Sequence, residues 1–306
     1  MRTDLNHLPA NKQRELERVV EMLFQDFRDA TQNATGRKKS ARILKIILFG
    51  SYARGDWVDA PFDANQYKSD FDILVIVNQK EVADKAAYWS VAEQRLVDAY
   101  QIEKTIRTPV NFIVHSLQQV NDALAHGRVF FIEVAKEGIA LYEADDKELG
   151  KPKPKTPSEA LETAKEYFED YFPSAMRTYD LAKTAAEKTY PKEAAFLLHQ
   201  SAERLYQCLL LTLTFYTPYD HNIIFLRSQA ERLDHGLFDV WPRGAKKERA
   251  IFQKLKDAYV KARYSKHYRI SREELEWLES RVEQLGRVVH TICTAHIATM
   301  EKALKD

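Results

Sequence analysis

The stretch "LFGSYARGDW" (Leu48–Trp57), followed by "SDFDILVIV" (Ser69–Val77), decides how the first half of the chain is read. An apolar strand ends in Gly-Ser, and a second apolar run opens on two acids one residue apart. Acidic residues are poor strand formers, so their place at the mouth of a buried run needs a reason. Side chains on a strand alternate faces, which sets Asp70 and Asp72 on one side and Phe71 on the other. Two neighbouring carboxylates repel unless a cation lies between them.

A hard divalent ion such as Mg²⁺, held by one or two carboxylates and by phosphate oxygens, removes that conflict. In two-metal phosphoryl or nucleotidyl transfer such ions stabilise the attacking and the leaving oxygen. The Gly-Ser corner then has a use. Gly50 lets backbone approach a phosphate, Ser51 offers a hydroxyl and an N–H, and Arg54 adds a charge-assisted contact. The competing reading is a solvent-exposed strand entry, which the Gly-Ser corner on the preceding strand argues against. A P-loop is excluded, because no Gly-Lys-Ser/Thr closes the turn.

Working outward, a helix precedes this core, with Leu16, Val19, Val20, Leu23 and Phe27 at helical spacing. Strands are expected at about 42–49, 71–77 and 110–116 ("VNFIVHS"), with a helix around 82–99 using Trp89, Val91, Leu96 and Val97. Near-continuous apolar strands between helices imply a small mixed sheet with flanking helices, an α+β domain. The segment "GKPKPKTPS" (Gly150–Ser158) holds three prolines in nine residues and cannot continue a helix or a central strand. It divides the chain into domains at 1–149 and 158–306, with 150–157 as linker. Five helices are expected beyond it, at about 158–186, 191–215, 222–234, 246–264 and 271–304, forming an all-α bundle.

The composition is that of a globular protein of 306 residues, 30% charged, with net charge +1, so no global field favours nucleic acid or membrane. Residues 243–272 are a local exception, with eleven Lys/Arg against two acids and three interleaved tyrosines, an arrangement suited to an anion. The two cysteines, Cys208 and Cys293, fit a reducing compartment better than a disulfide framework. No run reaches the roughly 18 apolar residues of a membrane span, and the polar start is unlike a signal peptide, so a cytoplasmic location is expected.

The combination "FGSYARGD … SDFDILVIV" resembles the minimal nucleotidyltransferases of the DNA polymerase beta superfamily, over roughly residues 40–145. The resemblance implies that Gly50 and Ser51 grip the phosphates of an NTP, ATP in the first instance, and that Asp70 and Asp72 ligate Mg²⁺ in a two-ion site. Two departures stand out. The segment between Ser51 and Asp70 is longer than is usual, and the third carboxylate of the family falls at or near Asn111, an amide that is neither an anion nor a proton acceptor. His115 and Glu103 are candidates to replace it. His115 would have to face the aspartates, and within an apolar strand it reads first as a core histidine.

The second half is similar to HEPN domains, through "LLHQSAERLYQ", "YDHNIIFL" and "KARYSKHYRI", over about 158–304. Gln200, Glu203 and Gln207 form a polar line on an otherwise apolar helix and require partners within the bundle or across an interface. Arg263 is the expected partner of Glu203, and His267 is expected one helical turn beyond Arg263. The resemblance implies homodimerisation through this domain. It also implies either a ribonuclease site, which Tyr264 and the short Arg263–His267 spacing disfavour, or nucleotide binding by Arg263, Tyr264 and His267, with Glu203 a further candidate residue of the same site.

These readings lead to transfer of a nucleoside monophosphate, AMP from ATP, to a hydroxyl of a protein, nucleic-acid or small-molecule acceptor. The basic segment ranks an aminoglycoside below the other acceptors, and Tyr264 and Tyr268 are candidate tyrosines for such modification. Alternatives are a nucleotide-binding sensor with little catalysis, and a ribonuclease toxin fused to its nucleotidyltransferase antitoxin.

Overall fold

The computed structural model describes residues 1–58, 68–144, 148–218 and 221–305, with the side chain of Arg37 set aside. The chain separates into two compact units, the first ending at Pro154 and the second starting at Lys155.

The first unit opens with α1 (Ala10–Thr31), which buries Leu16, Val19, Leu23 and Phe27 as its periodicity predicts. Then come β1 (Ile43–Phe49), the single turn α2 (Ser51–Arg54), β2 (Phe71–Val77), α3 (Lys85–Tyr88), α4 (Ser90–Gln101), β3 (Val110–Ser116), α5 (Leu117–Ala125), α6 (Val129–Glu137) and β4 (Ile139–Glu143). The strands form one mixed sheet in the order β3-β2-β1-β4. β2 runs antiparallel to β1 and parallel to β3, and β4 runs antiparallel to β1. All seven residues of β1 and of β2 are buried, because helices cover both faces of the central strands. One face packs Ile46, Ile73, Val75, Phe112 and Val114 against α1 and α4, with Phe27 stacked on Trp89.

Two expectations for this unit need correction. The single helix expected near 82–99 is broken. Asp84 caps α3 by accepting from the N–H of Ala87, and Trp89 leaves helical geometry while its indole donates to the carbonyl of Val82. A capping acid and an anchored ring override the apolar periodicity there. Val91 and Val97, counted among the apolar positions of the expected helix, are exposed, because the buried face runs through Trp89, Ala92, Leu96 and Ala99. A fourth strand also exists, β4, too short and too mixed in composition to stand out in the sequence. Gly138 leads into it, and a Cβ there would meet the carbonyl oxygen of Val134 at 2.5 Å and Ile47 Cγ2 at 2.7 Å.

The second unit is helical: α7 (Pro157–Glu187), α8 (Pro191–Thr214), α9 (Ile223–Leu233), α10 (Lys246–Asp257) and α11 (Arg272–Ala303). Thr156 and Glu159 close a capping box at the start of α7 with Pro157 in its first turn, so the proline-rich segment ends by launching a helix. α8 is the central helix, with Leu198, Ala202, Leu205, Tyr206 and Leu209 inside the core shared with α7, α9 and α11. α10 continues through a π-helical turn at Ala258–Ala262, which widens the helix below Tyr259. Tyr206 is pushed far up by burial, and its hydroxyl accepts from the Trp241 indole at 2.8 Å.

Substituting Gly138→Ala should destabilise the first unit by about 1–3 kcal/mol, since backbone and a β-branched side chain must both give way. Chemical denaturation of the purified variant, compared with wild type at matched conditions, measures this directly.

Candidate functional site

The site at the end of β1 is built by strand register. Phe49, the last residue of β1, pairs with Asp72 on β2, and Asp72 pairs in turn with Asn111 on β3. Three strands therefore set Phe49, Asp72 and Asn111 abreast, and the chain turns at Gly50 immediately beyond. Gly50 has φ 77° and ψ −154°, a region essentially restricted to glycine. Its carbonyl accepts from the N–H groups of Ala53 and Arg54, and the turn α2 then closes at Gly55. Ser51 is buried at the first position of that turn.

Asp72 is only 2% exposed, whereas Asp70, just outside the strand, is half-buried. The Asn111 side-chain amide donates to Asp70 Oδ2 at 2.9 Å, so Asp70 lies on the face shared by Asp72 and Asn111. Ser69 fixes the approach to β2: its hydroxyl accepts from the N–H of Val58, and its own N–H donates to the Val58 carbonyl, both at 2.9 Å. Residues 59–67 of the long Ser51–Asp70 connection lie outside the described residues. Arg54 is half-exposed and pairs with Asp56 at 3.1 Å.

A brace that sequence reasoning missed surrounds α2. Arg2 donates to the carbonyl of Ala53, and His7 Nε2 lies 2.8 Å from the carbonyl of Tyr52. Tyr52 itself is fully buried, stacked on Trp57 and edge-on to Phe71. Lys12, also buried, donates to the Thr108 hydroxyl at 2.6 Å and lies over the Tyr52 ring. The polar start of the chain offered no periodic signal that would have revealed these contacts.

The candidates for a third acid fare differently. His115 lies on the aspartate side of the sheet, four residues beyond Asn111 on β3, but it is buried edge-on to Phe131. Burial first, and the nearby Arg128 charge second, lower its pKa to about 4. It is thus a neutral core histidine at pH 7. Glu103 is exposed in the turn after α4, where it accepts from the Thr105 hydroxyl. Among the described residues no group of three His, Cys, Asp or Glu is placed to hold a metal. The pair Asp70 and Asp72 nonetheless suits a hard divalent cation, whose remaining places phosphate oxygens and water can fill.

In the helical unit Glu203 is buried and does not take Arg263 as its partner. His221 Nδ1 lies 3.0 Å from Glu203 Oε1, His199 Nε2 lies 3.5 Å from Oε2, and Gln200 and Gln207 both donate to the carboxylate. Burial acts to raise the Glu203 pKa. The hydrogen bonds to the two histidines outweigh it and hold the carboxyl below the ordinary range. Arg263 instead covers the rings of Tyr259, Tyr264 and Phe196, and its Nε donates to the Tyr259 carbonyl at 2.7 Å. Tyr259 in turn stacks on His221, with ring centroids 4.4 Å apart.

The helix ends at Tyr264, so His267 sits in an exposed turn rather than one helical turn along. Tyr264 is 76% exposed, whereas Tyr268 is buried with its hydroxyl donating to the Lys254 carbonyl, which removes it as an accessible acceptor. Tyr219 and Asp220 of "YDHNIIFL" lie outside the described residues. The basic segment is also less positive than its composition implies. Arg243, Lys247, Lys254, Lys261 and Arg272 pair with Glu231, Glu273, Glu274, Asp257 and Glu276. With five of eleven cations matched, the local field that ranked an aminoglycoside acceptor low is weaker than the sequence suggests.

Comparison with known proteins agrees with both halves. Residues 33–129 match the family model described as a nucleotidyltransferase domain, and residues 168–292 match that of the HEPN domain. The chain thus joins a nucleotidyltransferase domain to a HEPN domain. A protein of Methanocaldococcus jannaschii, named provisionally as a protein adenylyltransferase, is 50% identical over 44 residues, 14% of this chain. That match spans only 36% of the relative's own length. The crystal structure of a nucleotidyltransferase-like protein from Exiguobacterium sibiricum aligns over 89% of this chain and 75% of its own, at 12% identity. Its TM-score of 0.26 is too low to bear on the fold. Among the described residues no helix is long and apolar enough to cross a membrane.

Two outcomes follow from the geometry. Gly50→Ala should cost about 1–3 kcal/mol through backbone strain, read as a lowered denaturation midpoint. For His115 the folded pKa lies below the unfolded one, so the unfolded chain binds the extra proton between about pH 6.5 and 4. Stability should therefore fall as pH drops through that window, by roughly 3 kcal/mol at most. His115→Gln should flatten this part of the stability–pH curve.

Proposed function

We propose that this chain is a Mg²⁺-dependent nucleotidyltransferase that moves AMP from ATP to a hydroxyl of an acceptor and releases pyrophosphate. The observation that carries the reading is the register that sets Asp72 beside the end of β1, with Asp70 on the same face and the Gly50–Ser51 turn one residue further on. Asp70 and Asp72 would hold Mg²⁺, which when bound supplies positive charge to the triphosphate as the α-phosphorus is attacked. Gly50, lacking a side chain, admits the phosphates close to the backbone, and Ser51 offers them its hydroxyl and N–H. A protein acceptor is preferred, since the Methanocaldococcus jannaschii relative carries that name over a segment half identical to this chain.

One observation favours a second reading, a nucleotide-binding sensor with little catalysis. Asn111 offers an amide donor beside Asp70, where an acid could have taken a proton. The two readings separate in one assay. With α-labelled ATP, Mg²⁺ and cell protein, the enzyme yields labelled protein and free pyrophosphate, whereas the sensor yields bound but intact ATP.

Asp70→Asn and Asp72→Asn should each lower pyrophosphate release at least about 100-fold, a loss of roughly 2.7 kcal/mol or more in transition-state stabilisation. Turnover that survives both substitutions rejects this site.

A further inference from the structure

Two relays of hydrogen bonds converge on the carbonyl of Gly50. That carbonyl accepts from the N–H groups of Ala53 and Arg54, each at 3.1 Å. These N–H groups belong to the peptide units whose oxygens are those of Tyr52 and Ala53. The Ala53 oxygen accepts from the Arg2 guanidinium at 2.9 Å, and the Tyr52 oxygen lies 2.8 Å from His7 Nε2. A carbonyl only accepts, so Nε2 of His7 carries the hydrogen. A donor set on a peptide oxygen polarises the whole peptide and strengthens the bond that its N–H makes. Arg2 and His7 thus tighten, from outside the turn, the hold of α2 on the Gly50 carbonyl.

That hold fixes the orientation of one peptide. The Gly50–Ser51 bond is trans, so its C=O and N–H point in opposite directions. With the carbonyl turned in toward Ala53 and Arg54, the Ser51 N–H is turned the other way, away from the body of α2. Glycine has no side chain to oppose rotation of this peptide, and rotation would present phosphate with a carbonyl oxygen in place of a donor. The segment that carries Arg2 and His7 is itself anchored. Arg2 bridges to Ile139 at the start of β4, its carbonyl accepting from the N–H of Ala140 at 2.8 Å. Gln13 on α1 donates to the carbonyls of Leu5 and Leu8, and Leu8 is buried in the cluster that holds Tyr52 and Phe71.

The geometry points to Arg2 and His7 as positioning residues that lock the Gly50–Ser51 peptide with its N–H toward the phosphates of the nucleotide; the inference rests on those phosphates lying at Gly50 and Ser51, as in the proposed function. A lock of this kind acts on the bound triphosphate before and during reaction alike. Its loss therefore weakens nucleotide binding and spares the chemical step.

The test uses the full chain and its Arg2→Ala, His7→Ala and Asn6→Ala variants, with thermal melts to establish that each is folded. In the pyrophosphate-release assay Arg2→Ala and His7→Ala should each raise the KM for ATP about 5–10-fold, the scale of one lost hydrogen bond. Their kcat should change by less than about twofold, as expected when uniform binding is removed. Calorimetry with Mg²⁺ and α,β-methylene-ATP should show a matching loss of affinity. Asn6→Ala, exposed on the same segment, should leave all three values at those of wild type. A merely structural role would shrink the folded fraction instead, which lowers the apparent kcat and spares KM.

Unchanged KM and affinity in the folded alanine variants at positions 2 and 7 overturn the inference and leave the nucleotidyltransferase reading intact. A fall in kcat at constant KM, or an equal loss in Asn6→Ala, overturns it as well. Should one of the two variants fail to fold, the other decides. If wild type binds the analogue without turnover, the affinities alone decide in the same sense. No binding of the analogue by wild type sinks the proposed function together with this inference.

Discussion

The structure depends on one constraint, the pairing of three strands at a single level. Hydrogen-bonded ladders allow no half-steps, and a slip of one residue would turn every side chain of a strand to the opposite face. Because β1 and β2 are buried along their whole length and apolar but for Lys45 and Asp72, burial rather than alternation holds them in the sheet. The polar residues at their ends then fix where the ladder stops. Phe49, Asp72 and Asn111 are brought level by this register, and the turn at Gly50 follows because β1 has nowhere further to pair.

From that constraint the surrounding packing becomes intelligible. A short turn such as α2 has little intrinsic stability, since helix nucleation is unfavourable and four residues barely complete one turn. It persists because it is held from outside, by the stacked Trp57 and by the N-terminal residues Arg2 and His7 bonding its carbonyls. The start of the chain thus serves a stretch some fifty residues later. The helical unit follows the same logic around Glu203, a buried acid kept ionised by histidines on two different segments.

Much of this was legible in the sequence, for identifiable reasons. The Gly-Ser turn and the paired aspartates combine backbone and charge requirements that few other arrangements satisfy, so three of the four strands and their order along the chain were readable. The helices of the second unit showed through long apolar periodicity and the proline-rich break before them. What could not be read were long-range pairings. Nothing near Glu203 in sequence announces His221, and Arg263 at helical spacing from Tyr259 looked as available for an acid as for a ring. The exposed Val91 and Val97 misled because apolar character alone does not put a residue on the buried face, which here runs through Trp89, Ala92, Leu96 and Ala99. Asn111 was visible as an amide at an unusual position, but its orientation toward Asp70 required coordinates.

The polar edge of α8 bears on how copies of this chain can associate. Gln200, Gln207, His199 and His221 already surround the Glu203 carboxylate from within a single chain. A neighbouring molecule approaching along that edge would have to exchange contacts of equal quality, gaining little enthalpy while losing the freedom of an independent body. Association that used the Glu203 carboxylate would therefore have to break contacts that the chain already makes with itself.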